Sequence, residues 1–429
     1  MNGLDWNQVR DEYRPRAVNA KTNQELRVVL EEMLALLGES HFGILAKEIY
    51  EPPTPTQDAE ASPSSNENEV LRSETEEVEV EVEVEVEVAT LESETSETPS
   101  NYDGTLGIKL KIVENAVYIR EVDLDSNAYT QGVRIGWQLT AIGTQSVAES
   151  LKSLFENIQD PKEAEFYGTR LANGWIKPEN KDGLTLSFRD EKGQDNTLKL
   201  LPKKRQGTRN NMGMMPSFLN TFETKIISEG KIGYIRFSEW APPVVERFTE
   251  AVQNFKSSGA DKGLIIDLRE NPGGVAALSI GVASHLISSK GHSLGIMQDR
   301  TMTLNLRVFP RPKSQRWNGP VVILIDGLSA STSEIFAGGM QDLKEATIVG
   351  SPSSGKALAS MIESLPNGDR MQFVIWNLTR TSGERIEGAG VTPDIEVSIT
   401  HKTLLSGTDP VLQTGIDFLL NESQRTQNP

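Results

Sequence analysis

Five runs rich in apolar and β-branched residues, "KIGYIRFSEW", "GLIIDLRENPGG", "PVVILIDGLSA", "EATIVGSPSSGK" and "MQFVIWNLTR", punctuate residues 231 to 380. Each carries a strand run, and "VVILID" reads as a buried strand. Between them lie "VVERFTEAVQNF", "ALSIGVASHLI" and "SEIFAGGMQDL", whose apolar residues recur at helical spacing. Strands and helices in alternation leave few architectures open, and residues 207–405 are expected to form an α/β layered domain. Residues 406–429 are expected to add a C-terminal helix and tail.

The rest of the 429 residues divides by composition. In "NQELRVVLEEMLALLG" Leu26, Val29, Leu30, Met33, Leu36 and Leu37 follow helical spacing and Gly38 suits a C-terminal cap, so residues 1–50 read as a small helical segment. Residues 51–100 hold 16 Asp or Glu against one basic residue, Arg72, and supply −15 of the net charge of −18. The acidity therefore belongs to a linker and says nothing about a substrate groove. Within it Glu77 to Val88 alternates Glu and Val, which suits either an edge strand or a self-repelling solvated spacer; the spacer is the expectation, because the segment has too little apolar surface to offset its ordering entropy. Residues 101–206 form short strand-like runs, "GIKLKIV", "AVYIREV" and "LTLSFRD", separated by turn residues, with one helix in "AESLKSLFENI". Residues 163 to 185 read as an insertion into that β-rich module.

Several classes of function are excluded. With no cysteine and four scattered histidines there is no thiolate chemistry and no zinc spacing, and neither metal nor cofactor is expected. No basic stripe suggests nucleic acid, and no run reaches the ~18 apolar residues of a membrane span. The first residues, "MNGLDWNQVRDEYRP", contain no apolar signal core. Two expectations remain, a protein that stays in the cytoplasm or a sequence that starts downstream of its natural beginning; on the second, periplasm or cell envelope is the expected compartment.

Three strands end in motifs that an α/β sheet gathers at one edge. In "DLRENPGG", Pro272 ends regular pairing, and the bare backbone of Gly273 and Gly274 lets an N–H face a developing oxyanion. In "VVILIDGLSASTSEIFAGGMQDL" a buried strand turns sharply into a helix starting near Ser331, where the N–H of Thr332 is placed to share that oxyanion. Ser331 and Glu334 also spell S-x-x-E, the capping box of many inert helices. Asp342 lies about three turns further along nearly the same face, either orienting a polar group or simply solvated. In "SPSSGK", Lys356 follows a strand and the Gly355 break, which brings its amine back toward the same edge; such an amine is a general base only when its pKa falls toward neutrality.

Taken in order, "GLIIDLRENPGG", "VVILIDGLSASTSEIFAGGMQDLKEATIVG", "GK" and "RIEGAGVTPDIEV" resemble the carboxyl-terminal processing (tail-specific) serine peptidases of family S41. The resemblance implies a crotonase/ClpP-like protease core, with the middle serine of S-x-S-x-S, Ser331, as nucleophile and the lysine 25 positions later, Lys356, as base. It implies an endopeptidase acting through an acyl-enzyme on proteins with unstructured, apolar C-terminal tails, with oligomeric state left open. "GTLGI" followed by "GVRIGWQLTAIG" resembles a PDZ domain, in which Leu106, Gly107 and Ile108 would face the terminal carboxylate and the next strand would pair with the peptide. "DWNQVRDEYRPR" followed by "GESHFGI" resembles the N-terminal part of tricorn-type peptidases, which use a histidine base and point to Ser40 and His41. The expectation taken forward is a Ser331/Lys356 dyad, with His41 as the alternative base and a non-catalytic tail-binding adaptor as the alternative of another class.

Overall fold

The computed structural model describes residues 3–47, 103–158, 160–211 and 217–425. The acidic segment 51–100, including its Glu-Val alternation, lies outside the described residues. Four of the five apolar runs supply the middle strands of a six-stranded central sheet, ordered Phe222–Ile227, Ile232–Phe237, Gly263–Asp267, Val321–Ile325, Thr347–Gly350 and Ile395–Glu396; the first pair is antiparallel and the others are parallel. Side chains alternate across it. Leu264, Ile266, Ile323 and Ile325 pack with Val244–Ser257, Ala276–Ala283 and Thr332–Asp342, whereas Ile265, Val322 and Leu324 pack with Pro410–Arg425. Both faces are covered, as uninterrupted apolar runs require.

The fifth run departs from expectation. Arg370–Thr379 lies in a second, antiparallel sheet between Gly43–Leu45 and Ser293–Gln298, with Ala359–Ser364 also pairing to it and Thr303–Arg307 at the far edge. Most of its residues are only half-buried, as a sheet outside the central layer permits. The short strand Gly43–Leu45 matters for the site, because it pins the segment holding Ser40 and His41 to the α/β domain. Two helices precede it, Trp6–Asn19 and Asn23–Ala35, packed through Val9, Tyr13 and Val29. Gly38 takes the left-handed conformation (φ 62°) just past the second helix, as its capping position predicts. Arg27 ties this unit to the buried Asp369, with Nη2 donating to Oδ1 at 2.6 Å and Nε to Oδ2 at 2.9 Å.

Residues 103–211 form an antiparallel sheet ordered Ile108–Val113, Ala116–Val122, Gln138–Ile142, Leu184–Arg189 and Asp195–Leu200. Its expected helix is Val147–Asn157. A second helix, Pro161–Trp175, occupies most of the stretch read as an insertion. Its start was marked in the sequence: Asp160 accepts from the Lys162 N–H and Pro161 opens the first turn. Arg236, Glu121, Glu270 and Arg120 join the module to the central sheet: Arg236 donates to Glu121 at 3.0 Å and to Glu270 at 3.2 Å, and Arg120 pairs with Glu270.

Candidate active site

The loops after Gly263–Asp267, Val321–Ile325 and Thr347–Gly350, three adjacent parallel strands, converge at the C-terminal edge of the sheet. Ser331 sits at the turn from the middle strand into Thr332–Asp342 with φ 53° and ψ −119°, backbone angles usual for glycine. Holding a side chain there costs about 1–3 kcal/mol, a strain that surrounding contacts must sustain. Those contacts are explicit. The Ser331 N–H donates both to the Lys356 carbonyl (2.8 Å) and to Glu334 Oε2 (2.9 Å). Of the three serines in the run, Ser329 and Ser333 are fully buried and spent: Ser329 Oγ donates to Leu268 O (2.8 Å) and Ser333 Oγ to Asn271 O (3.1 Å). Ser331 alone is half-exposed.

Gly273 packs directly on the serine. A Cβ there would fall 2.6 Å from Ser331 Cβ and 3.0 Å from the Thr332 nitrogen, so only glycine fits. Its N–H donates to Asn271 Oδ1 (3.0 Å), which takes Gly273 out of the expected set of oxyanion donors and leaves it the role of close approach. The N–H groups of Gly274 and Thr332 have no acceptor among the described residues, and the Thr332 hydroxyl donates to Gly274 O (2.8 Å), fixing the two motifs side by side. Those two N–H groups are a ready anion site at a helix N-terminus.

Glu334 is buried and organises the loop that carries Lys356. Its Oε1 accepts from Gly355 N (2.7 Å) and Ser353 Oγ (2.5 Å), and its Oε2 from Lys356 N (3.0 Å) as well as Ser331 N. Burial pushes its pKa up to about 7 against the pull of these four donors. It is a positioning group rather than an acid aimed at substrate. Asp342 is removed from the site by distance: eleven residues along the helix is about 16 Å. It forms a fork with Arg380, whose Nε donates to both carboxylate oxygens at 3.1 Å.

The expected lysine arrives by its backbone and leaves by its side chain. Lys356 Nζ donates to Glu163 Oε1 (3.0 Å) on Pro161–Trp175 and lies 4.9 Å from the Tyr167 ring centroid and 5.4 Å from that of Phe166. Burial would lower its pKa, but the Glu163 carboxylate and Tyr167 outweigh this and hold it above the ordinary lysine value. Here the amine is a protonated cation. His41 behaves oppositely. Burial, helped by the nearby Lys356 charge, lowers its pKa below 6.5 against the pull of Glu387. Its Nδ1 shares a 2.5 Å hydrogen bond with Ser40 Oγ, and its backbone has positive φ (63°). Glu387, which sequence reasoning missed, joins the two segments: Oε1 accepts from Ser40 N (3.0 Å) and Oε2 from Ala357 N (2.7 Å). The only sequence signal was a lone carboxylate in the glycine-bounded "RIEGAGV". No hydrogen bond joins Ser331 Oγ to either His41 or Lys356 among the described residues.

In the β-rich module, the Leu106 and Ile108 side chains lie in the core, so they could offer a peptide only their backbone. Gly107 (φ 71°) is explained by packing, since a Cβ would meet Ser126 Cβ at 2.4 Å.

This geometry agrees with what the chain is similar to. Residues 231–397 match the model of peptidase family S41. Residues 231–397 are thus similar to the peptidase domain of family S41. Residues 1–35 match the tricorn protease C1 domain. A carboxy-terminal-processing protease of Bartonella bacilliformis is 33% identical over 202 residues, 46% of this chain and 44% of that protein. The carboxy-terminal processing protease CtpA of Bacillus subtilis is 25% identical over 173 residues, 40% of this chain and 36% of that protein. The chain thus spans less than half the length of these relatives. Among solved structures, a photosystem II D1 C-terminal processing protease shares the fold with a TM-score of 0.53 at 17% identity, covering 97% of this chain and 90% of that one. Among the described residues, no helix is long and apolar enough to cross a membrane.

Proposed function

We propose that this chain is a serine endopeptidase that cleaves proteins at unstructured, apolar C-terminal tails, with Ser331 as nucleophile. One observation carries the reading: a half-exposed serine is held in strained geometry beside two N–H groups, those of Gly274 and Thr332, that lack acceptors among the described residues. Ser331 Oγ attacks the scissile carbonyl carbon and gives its proton to the base, and the two N–H groups hold the oxyanion. When the C–N bond breaks, the base returns the proton to the leaving amine. Water, deprotonated by the same base, then releases the acyl group.

The base favoured by this geometry is His41. It is neutral at pH 7, and with its Nδ1 proton donated to Ser40 the Nε2 lone pair is available. Glu387 carries it to the loop whose Lys356 carbonyl holds the Ser331 backbone. Transfer requires Ser331 Oγ to come within hydrogen-bond reach of His41 Nε2. The Ser331/Lys356 dyad is the second reading, favoured by that backbone contact, and it needs the Glu163 pair broken and the amine deprotonated. Tail recognition is supported by the relatives, which are carboxy-terminal-processing proteases, and by the position of Ile108–Val113 at the edge of the sheet in a PDZ-like module. The test is cleavage of a protein with an extended apolar tail by the wild type and by Ser331→Ala, His41→Ala and Lys356→Ala. Loss of activity in the first two with residual cleavage in the third is expected. Full activity in Ser331→Ala would overturn the proposal, and full activity in His41→Ala with none in Lys356→Ala would reverse the choice of base.

A further inference from the structure

The helix Pro161–Trp175 does two things at once. On one side it covers the outer edge of Ile108–Val113, the edge strand of its sheet among the described residues, and satisfies backbone groups that no described strand pairs. Asn173 Oδ1 accepts from Leu110 N (3.0 Å) while Asn173 Nδ2 donates to Leu110 O (2.9 Å), and Thr169 Oγ1 accepts from Ile112 N (3.1 Å). One side-chain amide thus gives Leu110 the donor and acceptor that a residue of an added strand would give it. The fit is close: a Cβ on Gly168 would fall 2.2 Å from Ile112 Cδ1 and 2.9 Å from Leu154 Cδ2. The first turns of the same helix supply Glu163, Phe166 and Tyr167 around the Lys356 ammonium, and Glu165, which accepts from the buried Lys111 at 2.5 Å.

We propose that this helix is a built-in occupant of the peptide edge, so that a substrate's extended C-terminal segment pairs with Ile108–Val113 only by displacing it, and the displacement frees Lys356 beside Ser331. The inference rests on the tail-cleaving reading above and names its control element. Exchange is physically reasonable because similar bonds are given up and regained: the strand loses three bonds to side chains and gains bonds to a peptide backbone. The helix and the peptide therefore compete for one edge, and apparent affinity scales with the fraction of molecules in which the helix is away. The released ammonium loses the carboxylate that holds its proton and the flanking Phe166 and Tyr167 rings.

The experiment uses the full chain with Ser331→Ala, which binds without cutting, and a fluorescent peptide of extended apolar sequence ending in a free carboxylate. Binding is read by anisotropy. Adding Asn173→Ala, which removes two latch bonds, is expected to tighten binding on the order of tenfold, and Gly168→Leu, which wedges the helix outward, to do the same. Amide exchange at Leu110 and Ile112 should rise in both variants and fall again with peptide, which separates an opened latch from a misfolded module. Glu163→Gln should tighten binding less, since it leaves the strand-edge bonds intact. Equal affinity across the folded variants, or binding that leaves protection of the Pro161–Trp175 helix unchanged, overturns the inference. Because the readout needs no nucleophile, that failure is distinct from a failure of the proteolytic reading, which the Ser331→Ala cleavage assay reports separately.

Discussion

Glu334 sets two physical effects against each other in a way that Glu334→Gln measures. Four donors converge on its carboxylate and favour the ion, whereas burial favours the neutral acid and is the larger effect, placing the pKa at about 7 against an ordinary 4.5. The native state thus binds a proton more tightly than the unfolded chain. Stability from this group is fully present below pH 4.5, declines as pH rises through 7, and is gone above about pH 8. A shift of 2.5 units corresponds to about 3 kcal/mol. Glutamine does not titrate. Unlike the protonated acid, whose hydroxyl oxygen can still accept, the amide nitrogen accepts nothing, so the N–H of Gly355 or of Lys356 that faces it loses its acceptor, and at pH 4.5 the variant should be less stable than the wild type by about 1–3 kcal/mol. Between pH 4.5 and 8.5 the difference should move by about 3 kcal/mol in favour of glutamine. Urea denaturation at a series of pH values, with m checked for constancy, reads this directly. A difference that stays flat to within about 1 kcal/mol would mean that the donors win and that Glu334 ionises normally. In that event the Ser331 and Lys356 backbones are held by a true carboxylate, and the charge itself, rather than the packing around it, would sustain the strained serine.

The choice of base predicts opposite pH profiles. With His41 as base, kcat/KM should fall in acid with a midpoint below 6.5, whereas a Lys356 base in the observed arrangement would confine activity to strongly alkaline solution; a profile that rises only above pH 10.5 would rule out His41. Arg380→Ala should lower stability by about 1–3 kcal/mol with kcat nearly unchanged, because its fork with Asp342 lies at the far end of the nucleophile helix, and a large kcat loss at unchanged stability would return Asp342 to the catalytic set. Gly339→Ala should destabilise by about 1–3 kcal/mol in thermal unfolding, since its Cβ would sit 2.6 Å from the Leu294 backbone, and an unchanged midpoint would show that the helix can shift outward without cost.

What the sequence made legible follows from the range of the forces involved. The strands "GLIIDL" and "VVILID" were readable because burial on both faces leaves a local mark, and the turn at Ser331 because a strand, a glycine-serine break and a helix start are local too. "MQFVIWNLTR" was equally visible as a strand yet belonged to another sheet, since strand identity is local and sheet membership is not. The helix Pro161–Trp175 carried its own start signal in Asp160 and Pro161 but was obscured by Gly168 and Gly174. Gly168 is present because the helix lies so close to Ile112, a contact that nothing within the helix announces.

The site divides in the same way. The 25-residue spacing from Ser331 to Lys356 correctly brings two backbones together, because both lie on loops after neighbouring parallel strands. It does not determine where a long, flexible side chain goes. That depends on Glu163, 193 positions away on a helix of another module, and an ion pair near a surface is a weak enough commitment to be exchanged. His41 is more constrained: Gly43–Leu45 is locked into a sheet, Ser40 holds its ring, and Glu387 bonds the segment to the Lys356 loop. A base must be both neutral and held in place, and the imidazole meets both conditions while Pro161–Trp175 is seated. The amine can meet them only once that helix has moved, so a Lys356 base requires the latch to open, whereas a His41 base does not.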